Sequence, residues 1–191
     1  MRFIFLSIIV FSIILFPTHS FSQKSFFRFT LFDLDNKMIF FTDLEKFKTT
    51  AIVFLLSDCP ASQDYTFTLN ELYLKYKENN ITFIGIFPGK FSTNDELLIF
   101  QEKYKVKFPL LKDPDMALSK WLGVKIAPSC FLVDSKGNTV YKGRINDWLF
   151  ALGKRRMQIT QNDMENALKN IVKNQPVKIA ETNPIGCILE Y

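Results

Sequence analysis

The sequence predicts one α/β domain built on a mixed central β-sheet that is flanked by helices. Residues 51–55 and 81–87 are continuous apolar runs separated by a helical pattern, which is typical of parallel strands buried on both faces. Two later strands, residues 129–134 and 139–142, are joined by a turn containing Gly137, which adds antiparallel pairing. The chain of 191 residues, 48% of them hydrophobic, is long enough for one domain with a sizeable core.

The N-terminus is interpreted as a signal peptide, residues 1–22, with cleavage after Ser22. After Arg2, residues 3–16 contain only two polar side chains, both serines, and the run is too short to span a bilayer, which needs ~20 residues. We therefore expect an exported protein, periplasmic or secreted, without stable membrane insertion. An N-terminal membrane anchor is the alternative. The residue directly after the cleavage site is not a cysteine, which argues against a lipoprotein.

The mature chain is predicted to begin with a β-hairpin extension. Residues 29–34 and 38–41 flank a turn at residues 35–37. Thr42 and Glu45 have the spacing of a capping box, which predicts one helical turn after the hairpin.

A helix is expected to start at Pro60, because proline suits the first helical position. Apolar residues then recur at helical spacing and form one stripe: Ala61, Tyr65, Leu69, Leu72 and Tyr76.

Three further helices and a tail complete the predicted chain. Thr93 and Glu96 form a capping-box signature for a helix that runs to Tyr104. Residues 116–122 predict a short helix, ended by a glycine, and residues 162–173 predict the last helix. The domain is placed at residues 23–175 and a C-terminal tail at residues 176–191.

Charge and histidine content exclude several classes of function. The net charge of +5 comes mostly from scattered lysines, so we expect no nucleic-acid partner. The short basic cluster at residues 154–156 is interpreted as a solvated or salt-bridged surface rather than a polyanion site. The only histidine, His19, lies in the predicted signal peptide. Without it the mature protein has no Ser-His-Asp or Cys-His catalysis and no His-ligated metal, and we expect no cofactor and no metal.

Three cysteines, Cys59, Cys130 and Cys187, remain in the mature chain. An odd number in an exported protein means that at least one thiol is free or pairs with another molecule. An exposed thiol in an oxidising compartment is reactive, so the cysteines indicate redox chemistry.

The sequence resembles the thioredoxin-like redoxin family over roughly residues 27–173. A buried strand ends at Cys59 and Pro60, which open a helix, and Pro128 follows about 70 residues later, before a hairpin. This branch contains the alkyl hydroperoxide reductase/thiol-specific antioxidant proteins and exported thiol-disulfide oxidoreductases. The resemblance implies a thioredoxin-like fold with the N-terminal hairpin as an extension.

The resemblance also implies roles for two residues. Cys59 matches the nucleophilic cysteine, and a helix N-terminus lowers a thiol pKa from ~8.5, although Asp58 opposes this. The alternative is that Cys59 is a small buried apolar residue. Pro128 matches the proline that is cis in this family and faces the nucleophile, leaving the Ala127 backbone to pair with a substrate strand. A trans turn proline is the alternative.

Two departures from the family pattern limit what can be transferred. Ser62 stands where the dithiol motif has its second cysteine, so Cys59 has no local resolving partner. The peroxidase pattern has Thr or Ser three residues before the cysteine and Pro seven before it, where this chain has Leu56 and Ile52. A peroxide reductase is therefore the second hypothesis.

The remaining thiols leave alternatives open. A flexible tail would allow Cys187 to return to Cys59 as a distant resolving thiol, but a structural or an intermolecular disulfide is also consistent with its position. Cys130, two residues after Pro128, is interpreted as a core cysteine rather than a redox residue. Arg144 and Asp147 are expected to form a structural ion pair with no catalytic role.

The sequence therefore predicts an exported thiol-disulfide oxidoreductase, with Cys59 as nucleophile, Cys187 as possible resolving thiol and Pro128 shaping the substrate groove. Its partners are a protein thiol or disulfide substrate and a reducing partner. The alternatives are the peroxide reductase and a non-catalytic binding module. A Cu(I) site of the kind found in copper chaperones is disfavoured, because the second nearby Cys and the His are missing.

Overall fold

The computed structural model describes residues 25–191, so the predicted signal peptide at residues 1–22 lies outside the described residues. The strands are β1 (Thr30–Asp33), β2 (Met38–Phe40), β3 (Thr49–Phe54), β4 (Ile81–Pro88), β5 (Leu110–Asp113), β6 (Ile126–Ala127), β7 (Ser129–Asp134), β8 (Thr139–Gly143), β9 (Leu149–Ala151), β10 (Lys154–Arg155) and β11 (Cys187–Ile188). The α-helices are α1 (Pro60–Tyr76), α2 (Asn94–Lys103), α3 (Ala117–Leu122) and α4 (Asp163–Val172).

Seven strands form the central sheet in the order β2-β1-β5-β4-β3-β7-β8. Strands β3, β4 and β5 are parallel, and the remaining neighbours pair antiparallel. The hairpin of β1 and β2 extends the sheet beyond β5. The predicted mixed sheet with an N-terminal hairpin extension is therefore confirmed.

Burial of both faces explains why the central strands are so apolar. All six residues of β3 are buried, and buried apolar clusters cover the two faces of the sheet. Helix α1 packs with its predicted stripe inward, since every residue of that stripe is buried. In α2 the predicted capping box is present: the Glu96 amide donates to Thr93 Oγ1, and the Thr93 amide donates to Glu96 Oε2.

The turn after the hairpin differs from the expected one. It is a 3₁₀ turn, Phe41–Leu44, that begins one residue before Thr42 and has no side-chain cap, so the capping box predicted from Thr42 and Glu45 is wrong. Phe41 is fully buried and packs against Phe26, with ring centroids 5.0 Å apart. Apolar packing therefore sets the start of this turn.

The expected Arg144–Asp147 ion pair is also wrong. Arg144 Nε donates to Asp163 Oδ2 at the start of α4, over 2.7 Å. The Asp147 carboxylate instead accepts hydrogen bonds from the amides of Thr160 and Gln161, at 2.8 and 3.0 Å, and lies 3.3 Å from Arg156 Nε. The loop that precedes α4 thus provides the hydrogen-bond donors for the Asp147 carboxylate, and Asp163 pairs with Arg144 instead.

These contacts predict a pH-dependent contribution of Asp147 to stability. Burial raises the pKa of Asp147, but hydrogen bonds from Thr160 and Gln161 outweigh burial and lower it from 3.8 to about 2. A depressed native pKa stabilises the fold above about pH 4, and the contribution is lost as the pH falls through ~2. We expect Asp147→Asn to unfold at lower urea concentration at pH 7, with the difference from wild type shrinking at about pH 3. A difference that stays constant with pH would contradict this interpretation.

No helix within residues 25–191 is both long enough and apolar enough to cross a membrane. In the predicted basic cluster, Arg155 pairs with Asp64 and Arg156 with Asp147. The interpretation of this cluster as a salt-bridged surface agrees with both contacts.

Candidate active site

The site is centred on Cys59, which caps the N-terminus of α1. Its backbone is extended, with φ −82° and ψ 115°, and Pro60 occupies the first helical turn. The Cys59 amide donates to Leu56 O at 3.2 Å, and the Cys59 carbonyl accepts from the Gln63 amide at 3.0 Å. The Cys59 side chain therefore lies at the positive end of a 17-residue helix, where a thiolate is stabilised.

Ser62, the residue at the position of a second dithiol cysteine, has a structural contact. Its side chain is fully buried, and Ser62 Oγ accepts a hydrogen bond from the Leu56 amide at 3.1 Å. Gln63 Nε2 donates to Ser57 O at 2.8 Å from the same helical turn. Together these bonds fix the loop that carries Cys59.

The residue before Pro128 lies beside Cys59. The Ala127–Pro128 peptide bond is cis, as the resemblance implies, and Cys59 Sγ is 3.6 Å from Ala127 O. Strand β6 ends at Ala127, so its backbone edge passes directly beside the sulfur.

The C-terminal tail brings Cys187 to the same place. Cys59 and Cys187 are joined by a disulfide, with Cα atoms 6.2 Å apart. Strand β11 pairs antiparallel with β6, Cys187 opposite Ala127. Cys59 is almost completely buried beneath this strand, with 2% of its surface exposed, whereas Cys187 is half-buried. The three predicted site residues, Cys59, Pro128 and Cys187, are therefore in one place.

Contacts that the sequence did not predict hold the tail on the domain. At Gly143, a Cβ atom would lie 2.2 Å from Thr182 O, so the tail passes directly over the glycine backbone. Thr182 Oγ1 accepts from the Arg144 amide at 3.1 Å and is 2.7 Å from the Tyr141 hydroxyl. Burial raises the pKa of Tyr141, so this hydroxyl stays protonated and available for hydrogen bonding. No local pattern around residue 143 indicates these contacts, because they join segments distant in sequence.

Cys130 takes no part in the disulfide. Its side chain is completely buried in β7, and its Sγ lies 3.7 Å from Arg144 O. Burial, with a smaller contribution from Asp163, raises the pKa of the Cys130 thiol. The interpretation of Cys130 as a core cysteine is confirmed.

Two expectations about metal and peroxide chemistry are tested by the residues around Cys59. The statement that no second cysteine lies near Cys59 is wrong, because the tail brings Cys187 to it. Within residues 25–191, no group of three or more His, Cys, Asp or Glu side chains is arranged to hold a metal. Leu56 stands at the position of the peroxidase hydroxyl, and the nearby Ser57 hydroxyl is hydrogen-bonded to Ser92. The chemistry available to this arrangement is that of a cysteine at a helix N-terminus and its partner cysteine.

Solved structures show a similar fold. The hypothetical protein SMc02350 from Sinorhizobium meliloti 1021 has a TM-score of 0.76 and 22% identity, covering 85% of this chain and 90% of that one. A secreted Mycobacterium tuberculosis disulfide oxidoreductase, homologous to E. coli DsbE, has a TM-score of 0.53 and 20% identity, covering 59% and 81% of the two chains. The fold is that of the thioredoxin-like proteins.

Sequence comparison then identifies the family. Residues 23–142 match the AhpC/TSA family, and the chain belongs to that family. Thiol-disulfide oxidoreductase ResA from Bacillus anthracis is 31% identical over 113 residues, and so is ResA from Bacillus thuringiensis strain Al Hakam. The match covers 59% of this chain and 64% of the length of those relatives.

Proposed function

We propose that the protein is an exported thiol-disulfide oxidoreductase, periplasmic or secreted, with Cys59 as nucleophile and Cys187 as resolving thiol. The observation that carries the proposal is the disulfide between the cysteine at the α1 N-terminus and the cysteine of the tail. It gives Cys59 the partner that Ser62 does not provide. The names of the ResA relatives support the same activity, and the apolar run at residues 3–16 supports export.

The proposed cycle balances with two cysteines. The Cys59 thiolate attacks a substrate disulfide, forms a mixed disulfide and releases one substrate thiolate. The Cys187 thiolate then attacks Cys59 Sγ, releases the second substrate thiolate and closes the Cys59–Cys187 disulfide. The substrate gains two electrons and the enzyme loses two. A reducing partner with a dithiol returns the enzyme to its starting state and is itself oxidised to a disulfide.

Helix α1 supplies the electrostatics of this cycle. Its unpaired amides and positive dipole end favour the Cys59 thiolate, which is both the attacking group and a good leaving group. Pro128 keeps the Ala127 carbonyl beside the sulfur and shapes the groove that receives the substrate. A peroxide reductase would need a hydroxyl where Leu56 lies, so disulfide exchange fits the site better.

Alkylation across a pH series tests the proposal against the non-catalytic binding module. In reduced Cys187→Ala, we expect the rate of Cys59 alkylation by iodoacetamide to rise with a midpoint below the ordinary thiol pKa of ~8.5. Mass spectrometry of the digested protein assigns the modified residue, and the buried Cys130 serves as an internal control that stays unmodified. A Cys59 that reacts only above about pH 8.5 would favour the binding module.

A further inference from the structure

The tail occupies the backbone edge beside Cys59 as an extended strand. Cys187 pairs with Ala127 and Ile188 with Ile126, and the Leu189 amide donates to Lys125 O at 2.8 Å. Among the described strands, β6 has no other partner than β11. The edge of β6 is therefore filled by a cysteine-containing segment of the protein itself.

The family resemblance already implies that the Ala127 backbone pairs with a substrate strand. We propose that the tail is the built-in occupant of this groove, and that a substrate replaces the tail in the same register and therefore carries the same sequence pattern. The substrate cysteine then takes the place of Cys187 opposite Ala127. This inference rests on the proposed function, because it assigns the substrate class of the same site. It predicts which residues the substrate carries on either side of its cysteine.

The residue before the substrate cysteine is restricted to glycine. At Gly186 a Cβ atom would lie 2.1 Å from Ala127 O, 2.6 Å from Ala127 C and 3.0 Å from Pro128 Cδ. Two of these three atoms belong to the backbone beside Cys59 and do not move aside as a flexible side chain would. Any side chain at this position therefore pushes the strand away from β6.

The two residues after the cysteine differ in their requirements. Leu189 is 5% exposed and lies in the apolar cluster that contains Leu118 and Val124. Ile188, one residue earlier, is 71% exposed. A substrate thus needs a large aliphatic side chain at the second position after its cysteine, while the first position accepts polar residues. The preferred substrate is an extended chain containing Gly-Cys-x-aliphatic, where x is any residue.

Occupation by the tail also sets when the groove is open. While Cys59 and Cys187 are bonded, the tail is covalently held on β6 and the groove is closed to substrate. Reduction of the disulfide leaves only noncovalent contacts, namely hydrogen bonds and apolar packing that includes Leu189 and Ile185, so the tail becomes an intramolecular competitor. Substrate disulfides therefore reach Cys59 only in the reduced protein, which prevents the oxidised protein from trapping polypeptides.

Peptides copied from residues 184–191 test the groove directly. Each carries its cysteine as a mixed disulfide with thionitrobenzoate, so attack by Cys59 on the peptide sulfur forms a Cys59–peptide disulfide and releases one coloured thionitrobenzoate anion. The protein is reduced Cys187→Ala, in which Cys130 is buried and Cys59 reports alone. We expect the parent peptide to react at least about tenfold faster than peptides with Val at the Gly186 position or Asp at the Leu189 position. Asp at the Ile188 position is the matched control and leaves the rate near that of the parent.

Variants that weaken binding of the tail to β6 should raise the rate at which Cys59 reacts with the parent peptide. The double variant Gly186→Val/Cys187→Ala is expected to react about tenfold faster than Cys187→Ala alone. If this variant does not fold, Leu189→Asp/Cys187→Ala replaces it, with the same expected result. Equal rates for the peptides with Gly and with Val at the Gly186 position, together with a fast reaction of the small disulfide dithiobis(nitrobenzoate), would contradict the proposed substrate groove. The proposed oxidoreductase activity would be unaffected by that result. Slow reaction with that small disulfide in the double variants as well would overturn the proposed function itself.

Discussion

Replacement of Cys59 by serine is expected to abolish thiol-disulfide exchange, lowering the rate by several orders of magnitude to that of the uncatalysed reaction. A serine hydroxyl does not attack disulfides at neutral pH, and neither remaining thiol takes over. Cys130 is completely buried with a raised pKa, and Cys187 lies on strand β11 rather than at the N-terminal residue of a helix. The measurement is reduction of dithiobis(nitrobenzoate) and of an unfolded disulfide-containing protein, with dithiothreitol as donor.

Ser62→Ala is the control for this prediction. Ser62 lies one helical turn from Cys59, and its Oγ accepts a hydrogen bond from the Leu56 amide. The variant should keep most of the exchange activity and lose about 1 kcal/mol of unfolding free energy, since the Leu56 amide loses its partner. Equal loss of activity in Cys59→Ser and Ser62→Ala would remove Cys59 as the single local nucleophile.

The parts of the fold predicted correctly are those encoded by local pattern. Strand β3 and helix α1 follow from an apolar run and a helical stripe, and α2 from the spacing of Thr93 and Glu96. Each signal lies within a few residues of the element that it specifies. Periodicity and capping are therefore sufficient to find these elements in a single sequence.

The elements missed are short and depend on distant partners. Strand β5 has four residues, including Lys112 and Asp113, and is a strand because β1 and β4 lie on its two sides. Strand β11 has two residues and exists through its pairing with β6, about 60 residues earlier. The sequences of β5 and β11 therefore contain no local pattern that predicts a strand.

The same distinction applies to the candidate site. Cys59 is recognisable because Pro60 and the helical stripe immediately follow it. The disulfide partner of Cys59 is not recognisable from the sequence, because three cysteines allow several pairings and spacing alone does not select one. Arg144 shows the same difficulty: Asp147 is nearer in sequence, but the tertiary fold brings Asp163 to its guanidinium.

Oxidation of Cys59 and Cys187 is expected to stabilise the domain by about 4–5 kcal/mol, because the disulfide closes a loop of about 129 residues in the unfolded chain. The folded state already brings the two cysteines together through the pairing of β11 with β6, so the entropy cost of closure falls mainly on the unfolded state. Urea unfolding of the oxidised and reduced protein measures the difference. Cys187→Ala should erase it, and Cys130→Ala should leave it unchanged.

Stabilisation alone does not separate a resolving cysteine from a structural one, since either disulfide closes the same loop. The distinction is kinetic: without Cys187, no internal thiolate expels the substrate from Cys59. During turnover, Cys187→Ala should therefore accumulate mixed disulfides on Cys59, which non-reducing peptide mapping locates, whereas Cys130→Ala should not. A structural disulfide predicts loss of stability in Cys187→Ala without this accumulation. Oxidised wild type in which Cys187 is free, or paired with Cys130, would remove the resolving role, because Cys59 would then depend on a thiol from another molecule.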